Sequence, residues 1–170
     1  MSSRSPFISR PAKLADAAAI TEIYNQGIED RLATFETRLR VAADIEAWFD
    51  HKLPIIVVTT DAGEITGYAA AFAYADRCCY AGIAEFSVYV KRDWRGHGVG
   101  AAAMGALVEA CRRQGLWKLL SRVFPENKAS LALMARMGFK EIGVHEKHGK
   151  LDGIWRDCVI VEQLIPENLS

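Results

Sequence analysis

The chain lacks an excess of charge of either sign: 21 Lys and Arg stand against 21 Asp and Glu in 170 residues. A general nucleic-acid binder carries a basic excess, so the balance argues against nucleic acid as a partner, although a local basic pocket stays possible. No apolar run approaches the roughly 18 residues of a transmembrane helix, which argues against a membrane as well. Residues 1–6, Met-Ser-Ser-Arg-Ser-Pro, lead into no signal-type apolar stretch, so a cytoplasmic location is expected. Cysteine is scarce, with Cys78, Cys79, Cys111 and Cys158 and no Cys-x-x-Cys pair. The vicinal pair does not suit a disulfide, whose Cα atoms want more than one peptide step between them. It suits either a soft-ion site or two strand residues facing opposite sides of a sheet in a reducing cytosol. No repeat, low-complexity block or linker interrupts the chain. With 51% hydrophobic and 25% charged residues, one globular domain over residues 1–170 is expected, its core at about 7–165.

Periodicity supplies the element order. Residues 7–10 read as a short strand. Asp16 precedes a helix with Ile20, Ile23 and Tyr24 on one face. Residues 28–40 read as a loop with Phe35 standing out in it, and residues 42–50 as a second short helix. Strands are expected at 53–58, 65–74 and 84–90, where Phe86, Val88 and Val90 alternate with Glu85, Ser87 and Tyr89. A helix over 98–113 ends at Gly115, a strand follows at 116–124, and a helix covers 127–137 before Gly138. Two last strands, 139–144 and 155–164, are joined through a turn at 149–153. The order β-α-α-β-β-β-α-β-α-β-β predicts an α/β domain with a central mixed sheet.

The most informative stretch is Val90-Lys-Arg-Asp-Trp-Arg-Gly-His-Gly-Val-Gly100. Here a strand ends, and Gly96, Gly98 and Gly100 open a helix. Glycines let the backbone approach a ligand closely, and a helix start offers unpaired N–H groups and partial positive charge to an anion. Arg92, Arg95 and His97 add side-chain charge. The dinucleotide fingerprint Gly-x-Gly-x-x-Gly fails at Ala101, and the nucleotide P-loop ending Gly-Lys-Ser/Thr is missing. What remains is the pyrophosphate of coenzyme A, or a glycine-rich helix start that binds nothing.

Arg95-x-x-Gly98-x-Gly100, directly after the Val88-Tyr-Val90 strand, resembles the Arg/Gln-x-x-Gly-x-Gly/Ala signature of the GNAT superfamily of N-acetyltransferases. Asn127-Lys-Ala-Ser130, continuing to Gly138-Phe139, is similar to that superfamily's Asn-containing helix. Ala84-Glu-Phe-Ser-Val-Tyr-Val90 resembles the matching strand of the phosphinothricin acetyltransferases, as do Ile23-Tyr-Asn25, Thr34-Phe-Glu-Thr37 and Gly153-Ile-Trp-Arg-Asp157. Relatives of that family act on methionine sulfoximine and sulfone, and the runs at 23–30 and 33–37 look nearest to the arsinothricin type.

The resemblance implies a GNAT-type sheet, mixed but largely antiparallel, flanked by helices. It implies direct acetyl transfer from acetyl-CoA to the primary amine of a small amino acid or amino-acid-like toxin, and resistance to that toxin. It also implies a homodimer paired through the C-terminal region, and no metal. The cofactor set it implies is Val88, Tyr89, Val90, Arg95, Gly96, His97, Gly98, Val99, Gly100, Ala101, Asn127 and Ser130. Asn127 reads equally as a helix cap. Glu85 matches the family's acidic residue and is the expected base. Arg77 and Tyr80 match its Arg-x-x-Tyr, and an arginine fork suits a carboxylate, phosphinate or arsinate. Phe35 is expected either to wall the acceptor pocket or to anchor its own loop. Where the superfamily carries a tyrosine, or this family a histidine, to protonate the departing thiolate, the chain has Met134, which has no proton to give. His145 and His148 read as solvated residues of a charged turn. A protein N-terminus or a polyamine as acceptor, or a catalytically silent acyl-CoA-binding module, are the competing readings.

Overall fold

The computed structural model describes residues 6–170; the first five, on which part of the cytoplasmic expectation rests, lie outside the described residues. Seven strands form one sheet: β1 (Phe7–Pro11), β2 (Ile55–Thr60), β3 (Ile65–Ala73), β4 (Ile83–Val90), β5 (Lys118–Val123), β6 (Lys140–Leu151) and β7 (Ile154–Leu164), in the order β1-β2-β3-β4-β5-β7-β6. Only β4 and β5 run parallel; every other pair is antiparallel. The reason is connectivity. Short connections between β2 and β3, β3 and β4, and β6 and β7 return the chain antiparallel, whereas β4 reaches β5 through a helical crossover, which brings the chain back in the same direction.

Both faces of the sheet are covered, and β2 shows how the sequence encodes this. Its Ile56 and Val58 join a core with Ala69, Phe86, Met104, Leu107 and Leu119. Its Ile55 and Val57 join a second core with Ile20, Ile23, Ile45 and Tyr68. A strand buried on both sides has no polar face to spare, hence Ile-Ile-Val-Val without alternation. The first face carries α3 (Val99–Arg113), whose Val99, Ala103, Met104, Leu107 and Cys111 are buried, and α4 (Lys128–Arg136). The second carries α1 (Ala17–Glu29) and α2 (Ala42–Glu46). Asp16 does not cap α1 with its side chain. Its carboxylate accepts from the Lys13 N–H at 2.7 Å and from both terminal nitrogens of Arg10 at 2.7 and 3.0 Å.

Two expectations change. Residues 145–150, expected to begin a charged turn, continue β6 to Leu151. Outward-facing charge on a sheet-edge strand hid the alternation. The chain reverses instead at Asp152 and Gly153, with φ of 49° and 79°, the left-handed pair that a two-residue hairpin demands. His145 and His148 thus lie on a strand, with rings stacked 4.5 Å apart across an irregularity where Asp157 accepts the Lys147 N–H at 2.8 Å. Cys78 and Cys79 lie not on a strand but on a single 3-10 turn, Cys78–Tyr80, and both are exposed. The two other cysteines are buried and all four are free. Among the described residues no helix is long and apolar enough to cross a membrane, and no group of three or more His, Cys, Asp or Glu could hold a metal ion.

Candidate active site

β4 and β5 pair only at Ile83 with Lys118, Ala84 with Leu119, and Glu85 with Leu120. Beyond that point each strand keeps its other neighbour. β4 follows β3 as far as Val90 opposite Gly67, and β5 follows β7 as far as Val123 opposite Val159. The two strands therefore part like a V. Lys91 donates its N–H to the Thr66 carbonyl on the β3 side at 2.8 Å, so alternation turns the peptide groups of Phe86, Val88 and Val90 toward the opening. The Phe86 carbonyl accepts from Ser121 Oγ at 2.9 Å and the Val90 carbonyl from Arg95 Nε at 3.2 Å. Between them Val88 presents an N–H and a C=O with no strand opposite. A cavity of about 420 Å³ fills the opening, lined on one side by Phe86 to Val90 and on the other by Ser121 to Phe124.

The glycine turn closes one end of this cavity. Gly96 and Gly98 have φ of 78° and 89°, and a Cβ built on either meets nothing within 4 Å. The left-handed conformation, rather than crowding, is what requires glycine there. α3 then begins, and its first N–H groups have no acceptor inside the helix. Gly96, Gly98, Gly100, Ala101 and Arg95 all line the cavity. Val99 contributes no side chain to it, being buried in the core. His97 points elsewhere, its Nδ1 2.9 Å from the Arg95 carbonyl and its ring against Trp94. The arginines are tied to the end of α1: Arg95 Nη1 lies 2.6 Å and Arg92 Nη2 2.8 Å from the Asp30 carboxylate. Burial works to raise the Asp30 carboxyl, but hydrogen bonds from Arg92 and Arg95 outweigh it and hold the group below the ordinary carboxylate range.

α4 forms a further wall. Asn127 caps it, accepting the Ser130 N–H at 3.1 Å, and both residues line the cavity together with Leu133 and the buried Met134. Tyr89 borders the cavity as well. Its ring stacks on Tyr68 at 5.6 Å and meets Tyr24 at 5.2 Å in the second core, where burial raises the phenol well above its ordinary range.

Glu85 sits at the point where the strands part, on the face opposite Phe86 and Val88. Its Oε1 accepts from Arg122 Nη2 at 2.9 Å and its Oε2 from Arg122 Nη1 at 3.4 Å. Arg122 lines the cavity and Glu85 does not.

Residues 19–139 match the model of the acetyltransferase (GNAT) family. The chain belongs to this family. It is 34% identical over 157 residues to the L-methionine sulfoximine/L-methionine sulfone acetyltransferase of Pseudomonas paraeruginosa, covering 90% of this chain and 91% of that protein. Its fold superposes with a TM-score of 0.87 on a GNAT superfamily phosphinothricin acetyltransferase from Sinorhizobium meliloti in complex with acetyl-CoA, at 28% identity over 94% of this chain and 88% of the other. A ribosomal-protein-alanine N-acetyltransferase from Brucella melitensis is similar at a TM-score of 0.88 and 28% identity, covering 93% and 99%.

In this GNAT chain the residues expected to meet the acceptor do not gather at the cavity. Arg77 and Tyr80 are exposed on the loop between β3 and β4, where Tyr80 meets Tyr74 edge-on at 5.6 Å. The Phe35 ring packs against Phe124 at 4.9 Å, within a small core with Leu151 and Cys158. Phe35 thus stands one ring behind the cavity wall that Phe124 forms. Arg122 and Ser121 are among the lining residues that the sequence alone did not single out. The signal for them was alternation on β5: Leu119 and Val123 enter the first core, which turns Arg122 to the face that Glu85 shares.

Proposed function

We propose that the chain transfers the acetyl group of acetyl-CoA to the primary amine of a small amino acid or amino-acid-like toxin. The observation that carries this reading is the parting of β4 and β5 beneath the glycine turn, with a carboxylate at its apex. The residues fit the co-substrate. Val88 offers an unpaired N–H and C=O to an amide-bearing arm. The turn at 96–101 with Arg95 offers donors to a pyrophosphate, and Asn127 and Ser130 border the same space. Bound acetyl-CoA supplies a thioester whose C–S bond breaks as the amine nitrogen bonds to the carbonyl carbon, the electron pair leaving with sulfur. Glu85 takes a proton from the acceptor's ammonium so that the nitrogen has a lone pair to use, a role typically contributing about a hundred- to ten-thousandfold. The nitrogen sheds a second proton as the amide forms. Met134 has none to give the sulfur, which leaves water to supply it.

The similarity to methionine sulfoximine/sulfone and phosphinothricin acetyltransferases favours an acceptor of that class, arsinothricin included, and a resistance role in a reducing cytoplasm where four thiols stay free. The likeness to a ribosomal-protein-alanine acetyltransferase keeps a protein N-terminus as the second reading. A homodimer belongs to the proposal. Ile142, Val144, Ile154 and Trp155 are each more than half exposed on β6 and β7, apolar side chains at this end of the sheet that a second copy would cover. The test is thiol release from acetyl-CoA with phosphinothricin, methionine sulfone, methionine sulfoximine, arsinothricin and the common amino acids. Release with one or more of them is expected, and no release with any overturns the proposal.

A further inference from the structure

The base of this reaction is masked. Both Glu85 oxygens are engaged by one guanidinium, and such a fork takes one lone pair on each oxygen and sets a positive charge where an ammonium would have to approach. Arg122 lines the cavity and Glu85 does not, so an acceptor that enters there meets the guanidinium before the carboxylate. Among the described residues Arg122 has no carboxylate other than Glu85 within ion-pair distance. The pair is not locked by burial either. The side chains are 42% and 30% exposed, so water attends both groups as they separate, and pairs of this kind hold together weakly.

We propose that Arg122 reads the acceptor's carboxylate, and that this contact releases Glu85 to take the amine's proton. The inference rests on the transferase reading above and assigns the acceptor's anionic group a partner within it. The exchange is close to balanced, since one carboxylate on the guanidinium replaces another. In an α-amino acid the amine and the carboxylate share one carbon. A carboxylate docked on Arg122 therefore sets the ammonium beside the group that Arg122 has let go. An amine without a carboxylate leaves Arg122 on Glu85 and the base stays masked. One side chain thus selects the acceptor by charge and gates proton transfer. Arg77, exposed on the loop between β3 and β4, is the competing reader.

The experiment compares L-methionine sulfone with its carboxamide as acceptors for the unmodified chain and for R122A, R122Q, R122K and R77A. It measures kcat and KM by thiol release, and binding of each acceptor by calorimetry without acetyl-CoA. A charged hydrogen-bonded contact is worth about 10- to 100-fold. R122A and R122Q should therefore cut kcat/KM for the acid by about that factor, mainly through KM, and move the acid-to-amide ratio down with it. Calorimetry should show the same loss for the acid alone, and R122K, which keeps the charge but not the fork, should restore part of it. An unchanged ratio in both R122A and R122Q, or a collapse in R77A instead, overturns the inference and leaves the transferase reading standing. No release by the unmodified chain with any acceptor of the panel above overturns both, and where another member of that panel is the acceptor, it and its carboxamide take the place of methionine sulfone.

Discussion

Glu85→Gln separates catalysis from stability by magnitude. Glutamine keeps the size and shape of the side chain. Its amide oxygen can still accept the Arg122 Nη2 bond at 2.9 Å, but its NH₂ then faces Nη1, donor against donor, so the fork is reduced to one bond. With the two side chains 30% and 42% exposed, solvent screening holds the stability cost to about 0–1 kcal/mol. For a domain of this size that is a fall in Tm of no more than about 2–4 °C. Loss of a positioned base acts on another scale, about a hundred- to ten-thousandfold in turnover, or about 3–5 kcal/mol on the barrier. The assay is thiol release at saturating acetyl-CoA from about pH 6 to about pH 10, spanning the range in which amino-acid amines lose their proton, alongside a thermal melt and calorimetry of acetyl-CoA. The expected outcome is an unchanged affinity for acetyl-CoA, a small shift in Tm, and turnover down at least a hundredfold at neutral pH. At the alkaline end the amine is already free and the deficit should narrow. Turnover within about twofold of the unmodified chain across the whole profile would refute the role of Glu85 as the base.

Gly98→Ala places a Cβ in open space at φ 89°, so its cost is backbone strain of about 1–2 kcal/mol; a weakened acetyl-CoA affinity by calorimetry is expected, and an unchanged one removes the turn from the cofactor site. The Asp16 carboxyl is held below its ordinary value, first by hydrogen bonding from Arg10, against opposing burial. It is thus depressed in the folded chain, and its contribution is whole above the unfolded value of about 3.9 and is lost as pH falls toward the lower folded one. Urea melts of the unmodified chain and Asp16→Asn should differ at pH 6 and converge at the acid end, and parallel curves would contradict this. Trp155→Glu, a charge among the exposed apolar side chains of β6 and β7 where Trp155 is 54% exposed, should turn a dimer into a monomer by light scattering; an unmodified chain that is already monomeric removes the dimer.

Much of this was legible along the chain because it is local. The double-sided burial of β2 is written in four consecutive branched residues, the alternation of β4 in every second residue, and the start of α3 in three glycines. Asn127 could be read as a cap from its place before α4, and the structure gives it that role beside the cavity. Charge concealed what followed. The polar run at 145–150 looks like a turn because alternation is the only strand signal, and outward-facing charge on an edge strand erases it. Phe35 could be read either as a wall of the acceptor pocket or as an anchor of its own loop, and nothing near it in the chain assigned it a partner. The ring that receives it, Phe124, lies across the fold.

The sequence by itself determined the elements, the two apolar faces and the turn that suits an anion, since each depends on residues within a helical turn or a strand's pleat. Only the tertiary structure decided what faces what. The parallel pairing of β4 with β5 ends after Glu85 and Leu120, and that end creates the cavity. The same pairing sets Arg122 on Glu85 across 37 residues of chain, and the packing of α1 against β3 and β4 sets Asp30 on Arg95. No spacing in the sequence carries those contacts, because they are fixed by the crossover that brings two distant strands side by side and by the twist that then separates them.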